Sequence, residues 1–249
     1  MNKPSYSLTR VLENVEVAEG IYSLAVEGKF EGAPGQFYML RAWEEEPLLS
    51  RPLSIYRLER DKICFLYHVG GRGTELLSRL DKGAEIKLTG PLGYGFEPQR
   101  LQGRIALVAG GIGIAPFDYT IKALKDNPKV TAIDLYAGFR SETYGLEEIE
   151  PLAEKVEIST EDGSAGYKGY VTDLFNPRGY DMVLCCGPTI MMKKVIESCK
   201  EAGVKVLASM EERMACGIGA CLVCTCKTKD GNKRSCKDGP VFEGEELVL

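Results

Sequence analysis

Histidine is almost missing from this sequence: His68 is the only one among 249 residues. We find no Ser–His–Asp pattern and no pair of carboxylates arranged for acid–base work, and His68 is too isolated to act as a base. We therefore assign no catalytic residue to this chain.

Long apolar runs and an excess of positive charge are also missing. No stretch reaches the length of a membrane span, and residues 1–10 lack the apolar core that a secretory signal needs. The formal net charge is -5, whereas a phosphate backbone demands basic patches on its partner. We expect a cytoplasmic protein that binds neither a membrane nor a nucleic acid.

Cysteine, by contrast, is abundant and unevenly placed. The chain has nine cysteines, and five of them lie close to its end: Cys216, Cys221, Cys224, Cys226 and Cys236. Thiols stay reduced in the cytosol, so clustered cysteines there indicate metal binding or redox work rather than disulfides.

The character of the sequence changes twice, which predicts domains at residues 1–98, 99–209 and 210–249. The first has short strands bounded by turn residues, typical of a sandwich or small barrel, and one short helix at 74–80. In the second, apolar strands alternate with helices, typical of a parallel sheet covered by helices. The third has too few apolar residues for a core of its own, so it needs a metal or a disulfide. The predicted strands are 21–26, 36–41, 53–58, 63–69, 85–88, 105–109, 132–137, 183–186 and 204–209, and the longer helices are 114–125 and 189–202.

The clustered cysteines follow a known spacing. Cys216, Cys221 and Cys224 form C-x4-C-x2-C, with a fourth cysteine further on, which is the plant-type pattern of a [2Fe–2S] cluster. Gly217 and Gly219 tolerate positive φ and let the backbone fold closely around the inorganic core. A structural zinc site with four cysteines is the alternative. Zinc sites usually show two C-x2-4-C knuckles, so the spacing favours iron and sulfur.

Two cysteines compete as the fourth ligand. Cys224 and Cys226 are two residues apart, so both would point to the same face of a strand. With Cys221 they would crowd one side of the cluster, whereas Cys236 returns across a turn at residues 230–232. We favour Cys236 without excluding Cys226.

A second motif suits a phosphate-containing cofactor. Arg51 offers a planar fork of donors, Pro52 removes a competing N–H group, and Ser54 supplies a small hydroxyl. Further on, Gly73 and Thr74 begin a short helix whose free N–H groups suit a pyrophosphate. Each piece alone would be an ordinary strand or turn, but together, ahead of an α/β region, they favour a nucleotide-like cofactor.

A glycine-rich turn follows the predicted strand 105–109. Gly110, Gly111 and Gly113 lead into a helix that contains Pro116. Such a turn lets a pyrophosphate approach the positive end of the helix. The pattern is not the G-x-G-x-x-G fingerprint, so a standard dinucleotide fold is not predicted in detail.

A shorter motif, Cys186, Gly187 and Pro188, follows the predicted strand 183–186. Ligands of open α/β sheets bind at the carboxyl ends of the strands. We therefore expect this motif to meet the glycine-rich turn, with Cys186 facing the site and Cys185 in the core.

These motifs, in this order, resemble the ferredoxin–NADP reductase superfamily. The resemblance rests on R-P-L-S at 51–54, G-R-G-T at 71–74, G-G-I-G-I-A-P at 110–116 and C-G-P at 186–188. The stretch E-E-R-M-A-C-G-I-G-A-C at 211–221 closely resembles the electron-transfer subunits of type B dihydroorotate dehydrogenases, as do L-Y-H at 66–68 and D-G-P-V-F at 238–242. It covers essentially the whole chain.

The resemblance implies an antiparallel Greek-key barrel that binds FAD, a parallel-sheet domain that binds NAD, and a small [2Fe–2S] domain. The implied FAD contacts are Arg51, Pro52, Leu53, Ser54, Leu66, Tyr67, His68, Gly73 and Thr74. The implied nicotinamide nucleotide site consists of Gly110, Gly111, Gly113, Pro116, Cys186, Gly187 and Pro188. The implied cluster ligands are Cys216, Cys221, Cys224 and Cys236.

The resemblance also implies a partner subunit that carries FMN and oxidises dihydroorotate to orotate for pyrimidine biosynthesis, in a heterotetramer with two copies of each subunit. Electrons would run from that FMN through the cluster and FAD to NAD+. Three rivals stay open. They are a small subunit of an NAD(P)H–ferredoxin oxidoreductase, a zinc-stapled binding module without activity, and a subunit that serves another dehydrogenase.

Two positions depart from the superfamily pattern. Leu53 stands where an aromatic residue is common, so Leu53 itself or Tyr56 is expected to pack on the flavin ring. His68 stands where a longer basic side chain is common. The choice between NAD and NADP stays open, because Arg140 suits a 2′-phosphate and the acidic stretch 160–162 favours NAD.

Overall fold

The first part of the chain is an antiparallel barrel. The structure, a computed structural model, describes residues 4–249. The strands of the barrel pair in the order β4-β3-β7-β1-β2-β6-β5, and β4 packs beside β6, which closes the sheet. The strands are β1 Ser5–Ala18, β2 Ile21–Glu27, β3 Phe37–Arg41, β4 Arg51–Ser54, β5 Arg57–Leu58, β6 Lys62–His68 and β7 Glu85–Leu92. Helix α1, Arg72–Ser78, lies between β6 and β7.

The barrel interior is filled by alternate residues of these strands, such as Leu24, Phe65 and Leu88, which are fully buried. Strand β1 was not predicted, because only Val11 is buried along its whole length. Pairing with β2 and β7, rather than burial, holds it extended.

The second part is a seven-stranded sheet in the order β11-β10-β9-β8-β12-β13-β16. All neighbours are parallel except β13 and β16. The chain runs outward from β8 in one direction and returns to β12 on its other side, so the order reverses between them. Ligands bind at such a point. The strands are β8 Gly103–Gly110, β9 Val130–Phe139, β10 Lys155–Thr160, β11 Tyr167–Lys168, β12 Met182–Cys186, β13 Lys205–Ser209 and β16 Val241–Glu243, and the helices are α2 Ala115–Lys125, α3 Val171–Leu174 and α4 Thr189–Ala202.

The last forty or so residues are small and irregular, as the shortage of apolar residues predicts. They contain a hairpin of β14, Thr225–Thr228, and β15, Gly231–Arg234, followed by the single turn α5, Ser235–Asp238. The chain then returns to the central sheet, where β16 adds the antiparallel edge. This edge strand was not predicted. The described part of the chain also contains four 3-10 turns, at Pro98–Arg100, Gly111–Ile114, Glu150–Leu152 and Gly244–Glu246. Among the described residues, no helix has the length and hydropathy of a membrane span.

The predicted strand 53–58 is broken into β4 and β5. Tyr56 turns inward between them and joins a hydrophobic core that the barrel and the central sheet share. In this core Leu66 of the barrel packs with Ile105 and Ile114 of the sheet region.

Charged residues fasten the same junction. Asp118 of α2 is completely buried, and its carboxylate accepts a hydrogen bond from Arg57 Nε of β5 at 2.9 Å. Lys122 Nζ lies 2.9 Å from the other carboxylate oxygen. Both cations are partly exposed, so the pair is buried on one side only.

Replacing Asp118 with alanine would leave Arg57 and Lys122 without their shared buried partner. We expect Asp118→Ala to lower the free energy of unfolding by about 3 kcal/mol, which corresponds to roughly 6–12 °C in Tm for a chain of this size. Thermal unfolding followed by circular dichroism measures the change. The control is Glu157→Ala, which removes a surface pair with Lys155 and should cost about 0.5 kcal/mol. Equal losses in the two variants would contradict this assignment.

Candidate functional site

One cavity of about 300 Å³ lies where the barrel, the central sheet and the C-terminal segment meet. Its size is at the lower end of small-molecule sites. It is lined by Phe37, Pro52, Leu53, Ser54, Leu66, Tyr67, His68, Ile112, Ala115, Ser209, Met210, Glu211, Glu212, Met214 and Pro240. Six of the nine expected FAD contacts are in this set.

The barrel supplies one wall of the cavity through β4 and β6. Leu53 lies on the lining, whereas Tyr56 does not. The Tyr56 ring is buried, and its hydroxyl accepts a hydrogen bond from Arg57 at 3.0 Å. Of the two residues expected to pack on a flavin ring, only Leu53 is therefore in position to do so.

Arg51 and Gly73, which were expected to act on one phosphate group, are in contact outside the cavity lining. A Cβ built on Gly73 would lie 2.3 Å from Arg51 Nε, so a side chain at this position would displace the guanidinium from where it lies. The guanidinium also lies over the Trp43 ring, 5.6 Å from its centroid. Gly73 is in the first turn of α1, whose N–H groups have no partner within the helix. The Arg51 guanidinium and the N–H groups of the first turn of α1 therefore lie next to each other.

The Thr74 side chain bonds to the loop before α1. Its hydroxyl accepts hydrogen bonds from the N–H groups of Gly70 and Gly71, at 3.0 and 3.2 Å, and so holds the loop before α1. Arg72 is exposed and forms an ion pair with Glu46 at 3.6 Å. Only the backbone of Thr74 is left to face a ligand.

The two glycine motifs of the central sheet meet at the carboxyl ends of β8 and β12. A Cβ on Gly113 would lie 2.3 Å from the Cys186 carbonyl oxygen, and one on Gly187 would lie 2.8 Å from the Gly110 nitrogen. Side chains at these positions would force the strands apart. Gly111 has a φ of 53°, which glycine adopts without strain.

Pro116 lies buried in the first turn of α2, and Pro188 is the residue that precedes α4. Both prolines therefore stand where helices begin. Tyr144 was missed by the sequence analysis. Its hydroxyl is 3.6 Å from a Cβ position built on Gly111, and burial raises its pKa to about 12. No pattern around Tyr144 marks it, because a loop after β9 brings it there.

Cys186 needs a correction. It was expected to face the site, but it is 1% exposed and does not line the cavity. Cys185 and Cys186 point to opposite faces of the sheet and belong to different core clusters. Burial raises the pKa of the Cys186 thiol, and Glu211 adds to the effect, while a hydrogen bond with Ser209 opposes it. The thiol therefore lies directly behind the residues that line the cavity.

The cysteine loop surrounds its sulfur atoms with N–H donors. Cys216 Sγ accepts hydrogen bonds from Ile218, Ala220 and Cys221, at 3.3–3.5 Å. Gly219 donates to Cys236 Sγ at 3.1 Å. Gly217 and Gly219 have φ values of 70° and 83°, as their expected role requires. Burial opposes ionisation of the Cys216 thiol, but these donors outweigh it and lower its pKa to about 6.

The four favoured cysteines are arranged as two pairs. Cys216 lies beside Cys221, and the Cys236 N–H donates to Cys224 Sγ at 3.4 Å. From residue 4 onward, no three His, Cys, Asp or Glu side chains are grouped closely enough to hold one metal ion. Two pairs fit a dinuclear cluster, in which each iron takes two thiolates besides the bridging sulfides. The donor-rich loop also fits the negative charge of such a cluster.

Cys226 points elsewhere. It is buried in the core cluster of the central sheet, and its thiol donates to Glu212 Oε1 at 3.8 Å. Burial and Glu212 raise its pKa to about 12. Cys224 and Cys236, in contrast, pack together against Phe37, Met39 and Leu92 of the barrel.

Two residues connect the cavity with the cysteines. Phe37 and Met214 line the cavity, and both also pack in the cluster that contains Cys224 and Cys236. A cofactor in the cavity would therefore be separated from a metal at the cysteines by little more than one layer of side chains.

A wider and more open cleft of about 590 Å³ lies beyond the ends of β9 and β10. It is lined by Glu16, Val17, Ala18, Glu19, Ser141, Glu142, Thr143, Ser164 and Ala165. It contains none of the expected site residues, and its carboxylates make it a poor place for a phosphate. The smaller cavity is the better candidate because the sequence motifs converge there.

Two family profiles match this chain. The one described as the iron-sulfur cluster binding domain of dihydroorotate dehydrogenase B matches residues 211–248. The oxidoreductase NAD-binding domain matches residues 107–197. Among solved structures, an NADH-dependent reduced ferredoxin-NADP oxidoreductase is similar with a TM-score of 0.87 and 32% identity, covering 97% of this chain and 90% of that chain. A ferredoxin NADP+ reductase from Neisseria gonorrhoeae, with bound FAD and NADP, shares the fold with a TM-score of 0.63 and 17% identity, over 80% of this chain and 92% of its own.

Two curated relatives are similar along their whole length, and both are named the electron transfer subunit of dihydroorotate dehydrogenase B (NAD(+)). The protein from Clostridium acetobutylicum is 56% identical over 247 residues, 99% of each chain. The protein from Clostridium perfringens is 50% identical over 242 residues, 97% of this chain and 98% of that protein. The expected resemblance is confirmed, and the chain belongs to the family of electron transfer subunits of the NAD(+)-dependent dihydroorotate dehydrogenase B.

Proposed function

We propose that this chain binds FAD, a [2Fe–2S] cluster and NAD(H), and carries electrons from a catalytic partner subunit to NAD+. In this proposal the partner holds FMN and oxidises dihydroorotate to orotate, and two copies of each subunit form a heterotetramer. The relatives' name supports a catalytic partner. FAD supplies the exchange between single electrons and a hydride.

The observation that carries the proposal is the shared cavity. Residues from the barrel motifs, from the start of α2 and from the segment before the cysteines line one space. A flavin ring there would lie against Leu53 on the barrel side. It would be open to a nicotinamide at the junction of β8 and β12, and Phe37 and Met214 would separate it from the cysteines.

Each expected group of residues has a part in the proposal. The cavity-lining residues of β4 and β6 hold the flavin ring, and Arg51 with the first turn of α1 holds its phosphates. The nicotinamide nucleotide is assigned to the place where the glycine-rich turn after β8 meets Gly187 at the end of β12. We assign these parts to domains 1–98, 99–209 and 210–249, with β16 returning to the central sheet.

The proposed cluster ligands are Cys216, Cys221, Cys224 and Cys236. The close neighbourhood of Cys224 and Cys236 supports Cys236 as the fourth ligand. The hydrogen bond of Cys226 to Glu212, and its burial in a different core cluster, argue against Cys226.

An exposed apolar patch around the cysteines suits the partner subunit. Ile218, Leu222 and Val223 are 59%, 61% and 53% exposed, and Cys221 beside them is exposed too. Apolar residues grouped on a surface mark interaction sites. A partner on this patch would cover the cluster and bring its own cofactor close to it.

The main rival is a subunit of an NAD(P)H–ferredoxin oxidoreductase, because a protein of that kind is similar over 97% of this chain. The identity is 32% in that case and 56% for the protein from C. acetobutylicum, which favours dihydroorotate as the source of electrons. Reduction of the chain by dihydroorotate only in the presence of the partner would separate the two functions.

The first test is the cofactor content of the anaerobically purified chain. We expect about two irons, two sulfides and one FAD per chain, with a visible spectrum that NADH bleaches. Metal analysis, sulfide analysis and absorption spectroscopy measure these quantities. Zinc in place of iron would reduce the proposal to a flavin reductase with a structural tail, and a colourless chain that takes up neither cofactor would refute it.

The fourth ligand is tested by two serine variants. Cys236→Ser should lose most of the iron and the cluster absorption, because Cys236 completes the second pair. Cys226→Ser is the matched control and should keep both, since its thiol faces Glu212. Iron content and the visible spectrum after anaerobic reconstitution decide between them, and the reverse outcome would show Cys226 to be the ligand.

The docking patch is tested with Leu222→Asp. Leu222 has a φ of 60°, which aspartate tolerates better than leucine does, so the variant should fold and keep its cofactors. A buried charge at an apolar interface should weaken binding of the catalytic subunit at least roughly tenfold, measured by co-purification and by isothermal titration. Leu8→Asp, at an exposed leucine of the barrel, is the control. An equal effect of both variants would place the interface elsewhere.

A further inference from the structure

Two arginine side chains lie over Trp43, the only tryptophan of the chain. The Arg41 guanidinium is 5.8 Å from the centroid of the indole ring, and the Arg51 guanidinium is 5.6 Å from it. Both distances are within the range in which an aromatic face attracts a cation. The ring is only 8% exposed and packs in the hydrophobic core of the barrel. The two cations therefore share an aromatic partner whose own position is fixed by packing.

Arg41 fixes the loop between β3 and β4. Its guanidinium donates hydrogen bonds to four backbone carbonyl groups of that loop, those of Trp43, Glu44, Glu45 and Leu48. A guanidinium has five N–H groups in all. Four bonds to one loop leave Arg41 little capacity for a ligand, so its part is to hold the loop and the ring of Trp43 in place.

Arg51 has donors to spare. It bonds to the carbonyl groups of Leu49 and Ser50, at 2.5 and 3.5 Å, and both bonds come from Nη1. Nε and Nη2 have no hydrogen-bond partner among the described residues, and both lie beside Gly73. Burial alone lowers the pKa of this guanidinium, and in the described part of the chain no carboxylate pairs with it. Its charge and two of its nitrogens are therefore available to an anionic ligand.

Two glutamates of the same loop pair with other cations rather than with Arg51. Glu44 lies 2.6 Å from Lys87 Nζ, and Glu46 lies 3.6 Å from Arg72 Nη1. An aromatic face attracts a guanidinium without neutralising its charge, whereas a carboxylate in the same place would compete with a phosphate for the donors. A tryptophan is therefore a suitable support for an arginine that binds a phosphate.

We propose that Trp43 is a positioning residue for the flavin phosphates, and that its ring holds the Arg51 guanidinium with Nε and Nη2 free to bind a phosphate group. The inference rests on the proposed function, in which Arg51 binds the phosphates of FAD. Trp43 does not line the cavity assigned to the flavin ring. Its loss should therefore weaken the binding of the phosphates and leave the binding of the ring unchanged.

The test compares a flavin that has phosphates with one that has none. The full chain, with its cluster and stripped of FAD, is titrated anaerobically with FAD and separately with riboflavin, and flavin fluorescence gives the dissociation constants. Trp43→Leu should weaken FAD binding about three- to thirtyfold, as expected for the loss of a cation–π contact, and leave riboflavin binding unchanged. Trp43→Phe should keep most of the FAD affinity, because it keeps an aromatic face.

Phe30→Leu is the matched control, because Phe30 packs edge-on against Tyr38 in the same barrel core. It should lower Tm and leave both dissociation constants unchanged. If riboflavin binds too weakly to measure, the salt dependence of FAD binding decides. It should be smaller in Trp43→Leu than in the wild type, because the arginine no longer faces the phosphate, and an equal dependence overturns the inference.

An equal loss of affinity for both flavins in Trp43→Leu, or no loss for either, overturns this inference alone. If Trp43→Leu does not fold, Trp43→Phe decides, because its smaller loss must also be confined to FAD. A wild-type chain that binds FAD no more tightly than riboflavin overturns the role of Arg51 together with that of Trp43. A wild-type chain that binds neither flavin overturns the proposed function as well.

Discussion

The cavity exists because the barrel and the central sheet share one hydrophobic core. Tyr56 and Leu66 of the barrel are buried together with Ile105 and Ile114 of the sheet region, and Asp118 adds a buried carboxylate that Arg57 reaches across the junction. Burial of apolar surface is the main favourable contribution to folding. Two units joined in this way hold a fixed relative position, so residues from both can form one site.

The cysteine segment depends on this frame as well as on any metal it binds. It has no core of its own, and Cys224 and Cys236 are buried only because they pack against barrel residues such as Phe37 and Leu92. Strand β16 then fastens the end of the segment to the sheet. The same packing places Met214 and Phe37 between cavity and cysteines. The proposed flavin and iron–sulfur sites therefore lie close together because the cysteine segment packs against the barrel.

Much of the fold could be predicted from residues whose type is required by the local backbone geometry. Gly113 and Gly187 lie where a Cβ would overlap the neighbouring strand, and the helix at 189–202 begins and ends where the sequence indicates. Strand β1 could not be predicted, because it has no buried alternate face. The prediction for Cys186 was wrong because the sequence motif shows only that Cys186 ends β12. It does not show that Ser209, its neighbour on the next strand, lies between Cys186 and the cavity.

The sequence by itself determined the fold class, the family and the kinds of cofactor proposed. The reason is that glycine-rich turns and the spacing of cluster-binding cysteines are local features, which can be recognised without knowing what packs around them. Only the tertiary structure decided between Cys226 and Cys236 as the more suitable ligand, and between Leu53 and Tyr56 as the residue that lines the cavity. Those choices depend on which distant segments pack together.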